Sequence, residues 1–263
     1  MRLAYTRLGS GVPLVLLHAF PLSSAMWAAQ RGGLVRECEV VTVDQRGFGE
    51  SATGDAVRDV PPDLTVVVDD LAGLLDELEL PSVVLGGLSM GGYVAMGFLR
   101  RYPQRVRGLV LANTRASADA PDVAANRRRI AEAVEQANSA DILLRELAPK
   151  LLAPQTVEQD PNLVKTVEAM VAAAPPEAVA WAQRAMAARP ESFDVLREAR
   201  IPVLVIAGDA DQMTPLSEAE AIANAAPDAE LVVLPGAGHL SAMEKPREFN
   251  QAVSGLLKRV QSV

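Results

Sequence analysis

The chain of 263 residues is long enough for one sizeable α/β domain with room for an insertion, and its 49% apolar content supplies a large core. A formal charge of -8 and a pI near 4.9 argue against nucleic acid and anionic membranes as partners, because both select basic surfaces. The single cysteine, Cys38, excludes an internal disulfide and leaves no thiol cluster for a metal.

The opening stretch MRLAYTRLGSGVPLVLLHAF lacks the layout of a signal peptide, since Gly11 and Pro13 interrupt its apolar part. No apolar run reaches membrane-spanning length, so a soluble cytoplasmic protein is expected. Residues 14–18 (LVLLH) read as the first strand and end on His18. Residues 39–44 (EVVTVD) form the next and run into DQRGFGES, where Asp44 and Arg46 read as residues holding a turn. In residues 64–80, Leu64, Val67, Val68, Leu71, Leu74, Leu75 and Leu78 mark one face of a helix. Residues 82–87 (SVVLGG) are a strand that stops on glycine, and residues 93–101 a helix. Residues 107–113 (RGLVLAN) are a strand.

From Thr114 to about Pro190 the strand signal gives way to helical periodicity over residues 123–137, 141–152, 161–173 and 176–188. Asp160 is a suitable cap for the third of these and Pro161 a suitable first residue. The block is longer than one crossover helix requires, so residues 114–190 are expected to form a helical cap. Residues 1–113 and 191–263 then make the core domain. It resumes with strands at 202–208 and 230–236 and helices at 217–226 and 246–260, the last opened by Pro246. The strands are apolar throughout, as in a mostly parallel sheet with helices on both faces.

The chemistry concentrates at strand ends. Gly87-Leu88-Ser89-Met90-Gly91 is a G-x-S-x-G pattern between a strand and a helix. A nucleophile on so sharp a turn leaves no room for side chains two residues away on either side, which marks Ser89 as the candidate nucleophile. A serine hydroxyl needs a base. Of the two histidines, His239 sits on the glycine-rich loop after residues 230–236, in the same layer as Ser89. Asp209 and Asp211, in GDADQMTP, both offer a carboxylate to orient the imidazole. The Met90 N–H, at the start of a helix, is a candidate donor to a developing oxyanion. Trp27, Trp181 and Met186, with Met26 and Met170, are candidates to line a substrate pocket. Arg127, Arg128 and Arg129 read as a solvated helix face.

The blocks HAFPLSSAMW, DQRGFGES, GLSMGG, GLVLANT, GDADQMTP and GHLSAMEKP, in that order, resemble the α/β-hydrolase family over nearly the whole chain. The resemblance implies the α/β-hydrolase fold and a Ser-Asp-His order of catalytic residues. The family pattern G-x-x-D-x-x-x-P falls on Gly208, Asp211 and Pro215, which assigns the acid to Asp211 and leaves Asp209 as the alternative. It also assigns the second oxyanion donor to the backbone of Phe20, in a loop where HAFP replaces the usual HGFP, and makes His18 a loop-fixing residue. Asn113 occupies an alternative acid position of some relatives and cannot serve as an anion.

The implied activity is hydrolysis of small-molecule esters or lactones through an acyl-enzyme on Ser89, with no metal or organic cofactor. The segments GLSMGG, LVLANT and GHLSAMEKPREFN look most like the 3-oxoadipate enol-lactonase group and its carboxylesterase neighbours. Arg184, Arg189 or Lys150 would then meet a substrate carboxylate. Alternatives are cofactor-free perhydrolase or haloperoxidase-type chemistry, carbon–carbon bond hydrolysis, and a ligand-binding receptor of the same fold. Dehalogenase and epoxide hydrolase relatives carry aspartate where Ser89 stands. Assembly into a homo-oligomer is left open.

Overall fold

The computed structural model describes residues 1–52 and 55–261. Seven strands pair into one sheet: β1 (Tyr5–Leu8), β2 (Pro13–Leu17), β3 (Glu39–Val43), β4 (Val83–Leu88), β5 (Val106–Ala112), β6 (Val203–Gly208) and β7 (Ala229–Leu234). Their spatial order is β1-β3-β2-β4-β5-β6-β7, with β1 antiparallel to β3 and every other pairing parallel. The order reverses between β2 and β4, and such a switch point opens a crevice at the carboxyl ends of the strands.

The connections are helical: α1 (Ala28–Leu34) joins β2 to β3, α2 (Leu64–Glu77) joins β3 to β4, and α3 (Met90–Arg101) joins β4 to β5. Right-handed crossovers that run in opposite directions from the switch point put α1 on one face and α2 with α3 on the other. Between β5 and β6 lie α4 (Pro121–Ala137), α5 (Asp141–Glu146), α6 (Ala148–Leu151), α7 (Pro154–Gln159), α8 (Pro161–Ala172), α9 (Pro176–Ala188) and α10 (Phe193–Glu198). The chain closes with α11 (Leu216–Ala225), α12 (Ser241–Glu244) and α13 (Pro246–Gln261), and α13 packs against α1 and β5 to β7. No helix among the described residues is long and apolar enough to cross a membrane.

Several departures from the sequence reading have local causes. The helix expected over 141–152 divides at Leu147 into α5 and α6, and Pro149, which carries no N–H to continue the α5 ladder, sits in the first turn of α6. Strand β1, YTRL, is short, polar and largely exposed at the sheet edge, so it carries no apolar run. Helices α1, α7 and α10 are short and escape periodicity for the same reason of length. Strand β7 is half exposed, the other edge of the sheet, and is not covered on both faces. Asp160 does cap α8, accepting from Leu163 N at 3.0 Å.

Candidate active site

Ser89 stands between β4 and α3 with φ 56° and ψ -113°, a backbone state that costs a non-glycine residue about 1–3 kcal/mol. Its neighbours explain how the turn closes. A Cβ on Gly87 would lie 2.1 Å from the Gly91 carbonyl, and one on Gly91 would lie 2.2 Å from the Leu17 oxygen. Any side chain at either place would push α3 off β2 and β4. Ser89 N donates to Ala112 O at 2.9 Å, and Thr114 Oγ1 donates to Ser89 O at 2.8 Å. The strained residue is thus tied on both sides to β5 and the residues just after it.

His239 and Asp211 come from the loops after β7 and β6. His239 Nδ1 donates to Asp211 Oδ2 at 2.9 Å, and both side chains are almost wholly buried. Asp211 Oδ1 accepts from Met213 N at 2.8 Å and Thr214 N at 3.0 Å. Burial alone would raise the Asp211 pKa, but His239, Asn113 and the Met213 N–H hold the carboxyl below its usual range. Asp209, the alternative acid, instead accepts from Gly236 N at 2.6 Å and ties the loop after β6 to the turn after β7.

The sequence assigns no supporting role to Asn113, which it marks only as an alternative acid position that cannot be an anion, and does not single out Glu244. Asn113 Nδ2 donates to Asp211 Oδ2 at 3.0 Å and to Gly238 O at 3.2 Å, while Asn113 Oδ1 accepts from the buried Ser241 hydroxyl. Glu244 ties the His239 loop to the helical segment: Oε1 accepts from Gly238 N and Oε2 from Ala153 N, each at 2.9 Å, and Oε2 also accepts from Thr156 Oγ1. The sequence signals for Asn113 are a polar residue at the end of an apolar strand and its match to an alternative acid position of some relatives, and neither discloses its bond to Asp211.

Ser89, His239, Phe20 and Tyr93 line one cavity of about 360 Å³. Ile130, Leu143 and Met186, from the segment between β5 and β6, form its apolar wall, and Arg115, Arg127 and Lys150 bring positive charge. No hydrogen bond among the described residues uses the N–H of Phe20 or Met90, so both remain available to an acceptor. Among the described residues, no cluster of three or more His, Cys, Asp or Glu is placed to hold a metal ion.

Other expected site residues lie elsewhere. Trp27 is core: it packs against Phe249, 5.9 Å between ring centroids, because α1 lies against α13. Trp181 turns its indole N–H to Val60 O at 2.8 Å and lines a separate cleft with Arg184, which pairs with Glu135. Arg189 is outside the Ser89 cavity too, leaving Lys150 as the expected cation on its wall. Arg127 is not on a solvated face: it reaches inward to Asp119 at 2.6 Å. His18 is locked by backbone, with Nδ1 donating to Ala19 O at 2.9 Å and Nε2 accepting from Gln45 N at 3.0 Å. Asp44 holds its turn by accepting from Ser24 N and Glu50 N, and Arg46 forms a buried double hydrogen bond with Asp70. Burial, with Glu37 and Glu39 beside it, pushes the Cys38 thiol up to about 12, in keeping with a structural role.

The family described as alpha/beta hydrolase fold matches residues 12–246 of the chain. 3-Oxoadipate enol-lactonase 2 of Acinetobacter baylyi is 28% identical over 94% of this chain and 88% of its own length. The structure of a thermophilic esterase from Thermogutta terrifontis, with malate bound, is 43% identical and superposes with a TM-score of 0.91 over 98% of this chain and 93% of that one. A hydrolase from Pseudomonas aeruginosa PA01 is 33% identical, with a TM-score of 0.88 over 97% and 94% of the two chains.

Proposed function

This chain belongs to the α/β-hydrolase family, and from that premise we propose that it hydrolyses small carboxylic esters or lactones through an acyl-enzyme on Ser89. The observation that carries the reading is the Asp211-bound His239, which lines one cavity with a serine held on a strained turn. Its Nδ1 is committed to the carboxylate, and no hydrogen bond among the described residues uses Nε2. Nε2 takes the Ser89 proton as Oγ attacks the carbonyl carbon, and Asp211 stabilises the imidazolium that forms. The N–H groups of Met90 and Phe20 hold the oxyanion, aided by the positive end of α3. The intermediate collapses as Nε2 passes the proton to the leaving alkoxide. Water, deprotonated by the same nitrogen, then attacks the acyl-enzyme, and the second intermediate releases the acid as Nε2 returns that proton to the departing Ser89 Oγ. With a lactone the alcohol stays tethered to the acyl group.

In this reading residues 114–190 are a cap whose Ile130, Leu143 and Met186 shape the acyl pocket. Lys150 and Arg127 favour an ester or lactone that carries its own carboxylate, as does the likeness to the enol-lactonase. The test is a panel of p-nitrophenyl acetate, p-nitrophenyl butyrate, simple lactones and a carboxylated enol-lactone, wild type beside Ser89→Ala. Turnover abolished by Ser89→Ala is expected, with a fluorophosphonate probe labelling Ser89. Equal rates in the two proteins would remove Ser89 from the chemistry. A folded, inert and unlabelled protein would make the chain a ligand-binding relative.

A further inference from the structure

Behind Tyr93 lies a second cavity, about 580 Å³, whose wall includes neither Ser89 nor His239. Its size is within the usual range for small-molecule sites. Leu64, Val68 and Met96 give it an apolar side, and Arg100, Arg101, Arg115 and Arg189 also line it. Its one wall acid, Asp63, is engaged in capping α2 through Thr65 N. Tyr93 and Arg115 line both cavities, so they form the partition between them.

The charges at that partition do not balance. Arg100 and Arg101 have their own carboxylates, Asp194 and Asp69, at the surface. Asp119, with its side chain fully buried, serves two guanidinium groups at once: Arg127 at 2.6 Å and Arg189 at 2.8 Å. Burial by itself would raise the Asp119 pKa, but the two arginines keep it below the usual range, so it supplies one negative charge against two positive ones. Arg189 also lies over the Tyr93 ring, 3.9 Å from its centroid. Arg115 has no carboxylate among the described residues. Its Nη2 donates to Met213 O at 2.8 Å, and its Nε is buried without a partner. No hydrogen bond among the described residues uses its Nη1, and a carboxylate is the acceptor that best matches a guanidinium left without one.

We propose that the cavity behind Tyr93 is a second binding site, taking a small carboxylic acid with an apolar body. The carboxylate meets Arg115 at the partition, and the body lies against Leu64, Val68 and Met96. The site is independent of any chemistry at Ser89, and direct binding tests it. Met96 lines this cavity, whereas Met186 and Met213 line that of Ser89, so methionine methyl resonances separate the two. Protein labelled with ¹³C at the methionine methyls is titrated with benzoate and with neutral benzamide, the Met96 signal being assigned with Met96→Leu. The expected result is a saturable shift of Met96 with benzoate and at least about tenfold weaker binding of benzamide. Ala188→Trp, at an exposed rim position, should weaken benzoate by a similar factor, and Thr65→Trp does the same from α2 should the first variant not fold. Shifts confined to Met186 and Met213, equal affinity for benzamide, indifference to a folded rim variant, or no saturable shift would each overturn the proposal.

Discussion

The two histidines of this chain end up in similar places with opposite prospects. His18 and His239 each follow a parallel strand at the carboxyl edge of the sheet, and each is essentially buried. Both ring nitrogens of His18 are used by backbone groups, Ala19 O and Gln45 N. Burial lowers its pKa, against smaller raising effects of the Ala19 bond and Asp44, so it is held neutral and inert. His239 commits one nitrogen to a carboxylate and keeps the other free. A strand-end position and burial therefore do not tell the two apart; the unspent nitrogen of His239, beside a carboxylate, is what the proposed mechanism takes as its base.

The sharpest way to break this comparison is to remove each ring. His239→Gln should lower kcat/KM by about 10⁴-fold or more with little change in melting temperature. His18→Leu leaves the buried Gln45 N–H without its acceptor and should cost about 1–3 kcal/mol by urea unfolding. If the His18 variant were as inactive as the other while fully stable, the division between a working and a structural histidine would fail.

The acids come next. Asp211→Asn keeps the shape of the pair but removes the charge, and a fall of about 10⁴ in kcat is expected. Asp209→Asn retains an acceptor for Gly236 N on an exposed turn, so its effect on stability should stay within about 0.5 kcal/mol, with activity nearly unchanged. The opposite ranking would move the acid to Asp209.

What sequence alone discloses follows from range. The long apolar strands and their crossovers are legible because every residue in them states the same preference. Ser89 and His239 are legible because glycine and strand context surround them. The support around Asp211 is not, since Asn113 lies 98 residues from Asp211 and 128 from Ser241, and no local pattern joins them. Trp27 and Arg127 went the wrong way for a related reason. Helical spacing tells which residues share a face, but not whether α13 or a buried aspartate covers that face.

That hidden support predicts a moderate effect. Asn113 is among the donors that hold the Asp211 carboxyl below its usual range. A carboxyl with a lowered pKa adds stability above the ordinary carboxylate range and loses it as pH falls through the folded value. Asn113→Ala leaves Asp211 less depressed, so its acid-side loss of stability, which starts in the ordinary carboxylate range in both proteins, should be smaller and end at a higher pH than in wild type. With Asp211 held less firmly, kcat/KM at neutral pH should fall about tenfold, or 1.4 kcal/mol. Urea unfolding across the acidic range and a pH–rate profile read the two effects separately. Unchanged curves in both would make Asn113 a bystander.

The smallest effect concerns the loop that His18 fixes. Ala19 replaces the glycine usual in similar sequences, yet it is not among the residues with positive φ, so its methyl imposes no backbone strain. Its carbonyl accepts from Leu22 N at 2.8 Å as well as from His18, and its N–H points to Met26 Sδ at 3.3 Å. These contacts are made by backbone atoms, and Ala19→Gly keeps all of them. It would add unfolded-chain entropy and open a small void, a loss of about 0.4–1 kcal/mol in stability. The Phe20 N–H should stay where it is, and kcat/KM should remain within about threefold of wild type, under 1 kcal/mol. A rise of tenfold or more would mean that the methyl displaces the oxyanion donor, and that the loop around the quiet histidine limits the rate at the active one.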